Sequence, residues 1–92
     1  MRKETALFFL RRYPVASLVN LALTFVNFTD QEATVIDLCA RKKMTQEAAA
    51  ERLGVSKNSI NTWYREAIDK ICIAWSGSEW IEILVENYKS KL

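Results

Sequence analysis

The sequence predicts an all-α fold of five to six helices, and three observations carry that prediction. Turn formers are scarce, with two glycines and one proline in 92 residues. The β-branched residues are scattered at helical spacing and do not alternate, as a half-buried strand would require. Half of the chain is apolar, and its apolar runs are bounded by capping residues or helix breakers. A chain of this length makes one domain, 1–92, with enough apolar residues for a core, although small domains bury a smaller fraction of their surface.

The first helix is predicted over Arg2 to Tyr13, with Ala6, Leu7, Phe8, Phe9, Leu10 and Tyr13 as a dense apolar set. Pro14 ends or kinks it, because proline has no N–H and disfavours αR at the residue before it. A second helix fits 15–27, with Val15, Leu18, Val19, Ala22, Phe25 and Val26 on one stripe. Leu21 and Leu23 lie off that stripe. They ask for burial on a second side, by the first helix wrapping over them or by a dimer contact.

Thr29-Asp30-Gln31-Glu32 reads as a capping box, preceded by Phe28 as a hydrophobic staple. The third helix follows, with Ala33, Val35, Ile36, Leu38, Cys39 and Ala40 as its apolar set. Arg41, Lys42 and Lys43 close it. Cations suit a helix C-terminus, and all three also sit where a loop before the next helix could touch phosphate. After Ser76-Gly77-Ser78 a last helix spans 79–90, apolar through Trp80, Ile81, Ile83, Leu84, Val85 and Tyr88 and acidic through Glu79, Glu82 and Glu86. It packs on the N-terminal pair or forms a dimer seam, and the sequence leaves both open.

Between these flanks lies the stretch that organises the chain, Thr45 to Ile71. Thr45 is an N-cap, Gln46 to Leu53 carries three consecutive alanines, and Gly54 stands where a left-handed residue ends a helix. Val55 plugs the corner, Ser56 caps again, and a longer helix runs over 57–74. Small Ala50, turn Gly54 and the apolar anchors Val55, Ile60 and Trp63 are what a helix-turn-helix needs. At about 100° per residue, Ile60, Trp63, Tyr64, Ala67, Ile71 and Ala74 gather on the inner side of the second helix. Asn58, Asn61, Thr62, Arg65 and Asp69 gather on the other. Asn pairs bidentately with adenine and Arg with guanine in the major groove, and a recognition helix presents its N-terminal residues to base edges. Asp69 lies too far along the helix and would be repelled by phosphate.

Net charge is +2, so phosphate neutralisation makes DNA affinity modest per monomer. The charge is uneven. Arg2, Lys3, Arg11 and Arg12 against Glu4 leave the N-terminal segment positive. Glu79, Glu82 and Glu86 against Lys89 and Lys91 leave the tail slightly acidic. Two cysteines without histidine are too few for a disulfide scaffold or a zinc site. Cys39 and Cys72 are expected as reduced, mostly buried thiols of a cytoplasmic protein. No signal peptide fits, since Ala6 to Leu10 is too short and runs into Arg11 and Arg12. Val15 to Phe28 is interrupted by polar residues and is shorter than the ~20 residues of a membrane helix. An enzyme is not expected: there is no His, no Gly-rich phosphate loop and no paired carboxylates beside a nucleophile. No cofactor is expected.

A family resemblance adds to this reading. Phe28-Thr29-x-x-Glu32-x-x-Val35-Ile36-x-Leu38, then Met44-Thr45-x-Glu47-x-Ala49-Ala50-x-x-Leu53-Gly54-Val55-Ser56, then Ser59-Ile60 and Ala67-x-x-Lys70-Ile71 resembles the region 4 helix-turn-helix of sigma-70-type factors. It is similar, slightly less well, to the LuxR-type DNA-binding domain, whose link before the helix-turn-helix is one residue shorter. The resemblance covers about residues 28–71, within a helical core of 28–74. It implies Lys57, Asn58, Asn61 and Thr62 as base readers and Thr45, Gln46 and Ser56 as phosphate contacts. Sigma recognition helices are usually rich in Arg and Glu here, so the −35 promoter specificity is not carried over. With no region 2, promoter melting is not expected. The chain looks more like the small sigma-like regulators of phages and mobile elements, and Leu10-Arg11-Arg12-Tyr13-Pro14 adds a faint likeness to phage late-gene activators.

The expectation is therefore a sequence-specific binder of double-stranded DNA that regulates transcription as a homodimer, in the cytoplasm of a bacterial or phage-infected cell and with no membrane partner. The alternatives are an interaction module docking on RNA polymerase or another partner, and a phage DNA-packaging small subunit.

Overall fold

Every breaker in the chain stops a helix in the computed structural model, which describes residues 1–90. Six α-helices form: α1 (Lys3–Arg12), α2 (Ala16–Thr24), α3 (Asp30–Val35), α4 (Gln46–Leu53), α5 (Lys57–Ser76) and α6 (Glu79–Ser90). A π-helical segment, Ile36–Arg41, continues α3. The described residues contain no strand, so the fold is all-α. Lys91, counted in the acidic tail, lies outside the described residues.

α1 ends because Tyr13 takes an extended conformation ahead of Pro14 (φ −64°, ψ 126°). α2 is shorter than the expected 15–27. The Thr24 hydroxyl donates to the Leu21 carbonyl at 2.6 Å, a local bond that competes with helix continuation, and Val26 N–H closes a turn onto Leu23 O at 3.1 Å. This early stop corrects the expected stripe. Val19, Ala22 and Val26 are buried, but Val15 and Phe25 flank the helix and face outward. Of the two off-stripe leucines, Leu23 is half-buried against the core and Leu21 is exposed.

The capping box forms on both sides. Thr29 Oγ1 accepts from Glu32 N–H at 3.2 Å, and Glu32 Oε1 accepts from Thr29 N–H at 2.8 Å. Glu32, not Ala33, takes the first inward position of α3; Ala33 is exposed. At Ile36 the helix widens, and Lys42 N–H donates to Asp37 O, five residues back, at 2.9 Å. The chain here serves two apolar clusters: Ile36 and Ala40 enter one, and Val35, Leu38 and Cys39 enter the other.

The first cluster surrounds Trp75. Its indole meets Phe9 edge-on at 5.5 Å and donates to Ala22 O at 3.1 Å, with Ile71, Ile81 and Val85 alongside. The second is smaller, built from Val35, Leu38, Cys39, Ala49, Ala50 and Ile60 and flanked by Met44, Val55 and Trp63. Tyr64 touches both. α5, 20 residues long, spans about 30 Å and joins them. It runs two residues past the expected end at 74. Ile68 and Trp75 are buried on it, beyond the inward set the sequence indicates, while Trp63, Tyr64 and Ala74 are only half-buried.

α6 packs within its own chain on the N-terminal helix. Tyr88 Oη donates to Arg12 O at 2.9 Å, and its ring meets Phe8 and Tyr13 at 5.6 and 5.2 Å. Cys39 is buried and Cys72 half-buried, both as free thiols. Burial raises both pKa values, with Arg11 partly opposing it at Cys39 and the N-terminal amine at Cys72, so neither thiol is activated. Among the described residues no helix is long and apolar enough to cross a membrane.

Candidate nucleic-acid interface

The helix-turn-helix is assembled by caps. Thr45 Oγ1 accepts from Ala48 N–H at 3.1 Å and starts α4. Gly54 closes it in the left-handed region (φ 67°), a conformation that carries a steric cost for any residue with a Cβ. Val55 N–H then reaches back to Ala50 O at 3.1 Å, and the Val55 side chain packs into the second cluster. Ser56 Oγ accepts from Ser59 N–H at 3.1 Å and starts α5. Thr45, Gly54 and Ser56, the residues that the sequence marks as caps, therefore all act at the helix ends of this turn.

Ile60 is buried in the second cluster and anchors the N-terminal half of α5. That anchor turns Asn58, Asn61 and Arg65 outward, where all three are exposed, with Thr62 half-exposed beside them. Arg65 makes no ion pair among the described residues. Lys57 does: its Nζ lies 2.7 Å from Glu47 Oε1, bridging α5 to the first turn of α4. The Lys57 hydrogen bond and charge lower the Glu47 pKa. Both side chains are more than half exposed, and such a pair contributes little to stability, so Lys57 is available to an anion at small cost.

The phosphate candidates divide. Thr45 and Ser56 are exposed but their hydroxyls already serve as caps. Gln46 is half-buried. Lys42 pairs with Asp37 at 3.3 Å across an exposed contact. Lys43 is exposed and unpaired among the described residues, and it adopts φ 58°, an uncommon value for a non-glycine residue. This left-handed residue turns the chain from the π-helical segment into α4. Arg41 is drawn away from any phosphate, since its guanidinium donates to Asn20 Oδ1 at 2.7 Å. Asp69, set aside as unfavourable to DNA, pairs with Lys3 at 3.3 Å.

Behind the interface, two contacts hold the helix-turn-helix onto the larger cluster. Glu32 is 3% exposed and receives Lys70 Nζ at 2.6 Å; Lys70 also donates to Asn27 O at 3.3 Å. Burial alone raises the Glu32 pKa, but the Lys70 and Thr29 hydrogen bonds and the Lys70 charge outweigh it and lower the value. On the other side, Arg11 of α1 donates to Cys39 O at 3.2 Å in the π-helical segment. The nearby Tyr64 hydroxyl is buried without a hydrogen-bond partner; its burial raises its pKa, and the Arg11 charge opposes this. Sequence reading missed these contacts. Glu32 reads locally as the acid of the capping box, and no local pattern links it to a lysine 38 residues away.

No family model, curated protein or solved structure matches the chain. The residues themselves therefore carry the functional argument.

Proposed function

We propose that the protein binds double-stranded DNA sequence-specifically and regulates transcription, with the N-terminal half of α5 in the major groove and the molecule acting as a dimer in the cytoplasm. The observation that carries this reading is the outward cluster of Asn58, Asn61 and Arg65 on a helix whose opposite side is anchored by buried Ile60. Two amides and a guanidinium at the exposed start of a helix are hydrogen-bonding groups suited to base edges. The capped turn between α4 and α5 supports the same reading, because it fixes the angle at which such a helix would meet a duplex. In this reading Lys42 and Lys43 supply phosphate contacts, Lys57, paired with Glu47 at the start of α5, supplies another in place of the base contact that the resemblance implies, and Thr62 adds a further base contact. The sigma region 4-like pattern over residues 28–71 agrees with it.

Selection of bound duplexes from a randomised library at low salt tests the proposal. An Asn58→Ala/Asn61→Ala/Arg65→Ala variant is run in parallel. A motif enriched by the native protein and lost by the variant is the expected result. Lys57→Ala weakens all sequences alike and flattens the salt dependence by about one phosphate contact. Retention without enrichment reduces the function to phosphate binding. No retention of DNA by the folded protein rejects the reading and turns attention to docking on RNA polymerase.

A further inference from the structure

The N-terminal segment carries positive charge that the proposed interface does not use. α1 runs antiparallel to α5. At its start the N-terminal amine lies 3.5 Å from Cys72 O, and Lys3 Nζ lies 3.3 Å from Asp69 Oδ1. At its end Arg11 donates to Cys39 O at 3.2 Å, and its charge acts on the Tyr64 hydroxyl. Arg11 follows Lys3 by eight residues, about 12 Å along α1 and within about 80° around it. The same step back along α5 from Asp69 reaches Asn61. Arg11 therefore stands level with Asn61 and Arg65, beside the half of α5 that carries the outward polar groups. The charges on this edge are unequal. Lys3 is balanced by Asp69, whereas Arg11 is exposed and forms no ion pair among the described residues. A guanidinium has five N–H donors, so the bond to the neutral Cys39 carbonyl leaves others free. Lys43, four residues after Cys39, and Arg65, next to Tyr64, are likewise unpaired among the described residues. The neighbouring acids are turned away or already engaged. Asp37 pairs with Lys42, Glu66 falls about 160° around α5 from Tyr64, and Glu4 lies about 10 Å down α1, lining a cleft with Lys89. Arg12 is drawn aside over the Phe8 ring, 5.7 Å from its centroid.

We propose that Arg11 of α1 contacts a phosphate on the strand flanking the groove that α5 enters, so that the DNA interface extends beyond the helix-turn-helix onto the N-terminal helix. The inference rests on the proposed function, because it takes α5 to lie in the major groove. That groove is about 12 Å wide, and packed helices lie about 8–10 Å apart, axis to axis. A side chain projecting from α1 beside the reading half of α5 therefore meets the wall of the groove and not its floor. The wall is phosphate. It supplies the anion that Arg11, Lys43 and Arg65 lack within the chain, and a phosphate contact of this kind positions the protein without reading sequence.

Fluorescence anisotropy of a mixed-sequence duplex of roughly one to two helical turns, titrated with the full chain at several salt concentrations, tests it. Arg11→Gln is expected to lower the slope of log affinity against log salt by about 0.9, the share of one phosphate contact. The advantage of the native protein over this variant then falls about 3.5-fold between about 50 and about 200 mM salt. Arg11→Lys keeps the charge and is expected to keep the slope. Arg2→Gln, at the far end of α1, is expected to leave it unchanged. Arginine labelling with phenylglyoxal reads the same contact in the native chain, where no substitution can disturb folding. Saturating duplex is expected to protect Arg11 and to leave Arg2 reactive. An Arg11→Gln protein with the native slope overturns the proposal, and so does Arg11 labelling equally with and without duplex. Arg11 is then confined to bracing the Cys39 carbonyl, and a slope still flattened by Lys57→Ala keeps the proposed function standing. No duplex binding by the folded native chain sinks both. Binding without sequence selection removes the sequence-specific function and leaves the Arg11 contact in place.

Discussion

The two halves of α5 share one helix and differ in almost everything else. The C-terminal half is enclosed by α1, α2 and α6, with Trp75, Ile71 and Ile68 buried among large side chains. The N-terminal half rests on a small cluster in which Ala49 and Ala50 supply much of the facing surface, and its other side is polar and exposed. Stability is concentrated at one end, and the groups free to meet a ligand at the other. A rigid helix rooted in the larger core can present short polar side chains without those side chains contributing to folding.

The sharpest way to break this comparison is Trp75→Ala. It removes a buried indole, its edge contact with Phe9 and its bond to Ala22 O. A loss of about 3–5 kcal/mol in urea unfolding is expected; a loss below about 1 kcal/mol would contradict the dominance of the C-terminal cluster. Next in size is Lys70→Met, which leaves the Glu32 carboxylate without its cation. Lys70 is 40% exposed, so the loss at neutral pH is expected at about 1–2 kcal/mol, below that of a fully buried pair.

The pH dependence of that loss follows from the lowered folded pKa of Glu32. A lowered carboxyl pKa stabilises the fold fully above the ordinary value of 4.5 and loses that contribution as pH falls through the lower folded value. The native protein and Lys70→Met should therefore converge in stability in that acid range. A gap that persists there would assign the effect to lost packing of the lysine stem.

At the other end the effects shrink. Gly54→Ala meets no atom within 4 Å, so only its left-handed φ of 67° is strained, at about 1 kcal/mol. Asn61→Ala should leave unfolding within about 0.5 kcal/mol of the native value, while costing about 1–3 kcal/mol at one base position if the helix reads DNA. A clear fall in stability with Asn61→Ala would mean that this face is structural.

Much of the site was legible because its signals are local. Thr45, Gly54 and Ser56 act through bonds spanning three or four residues, and Asn58, Asn61 and Arg65 follow from helical spacing around Ile60. The errors came where a local pattern was extended too far. The apolar stripe of α2 continues to Phe25 in the sequence although the helix ends at Thr24, and the helical pattern puts Ala33 inside where Glu32 takes that position. Nothing local marked the π-helical segment or the positive φ of Lys43, since neither carries a glycine or proline.

By itself the sequence determined the all-α class, the turn positions, the caps and the outward polar face of α5, because spacing along one chain decides each of these. Only the tertiary structure decided that Lys70 meets Glu32, that Lys57 is held by Glu47, that Arg11 braces the Cys39 carbonyl and that α6 packs on α1 while leaving Phe25 and Trp80 exposed. Those partners come from different helices, and the angle at which helices cross is set by how whole side chains fit together, which no single stretch of sequence contains.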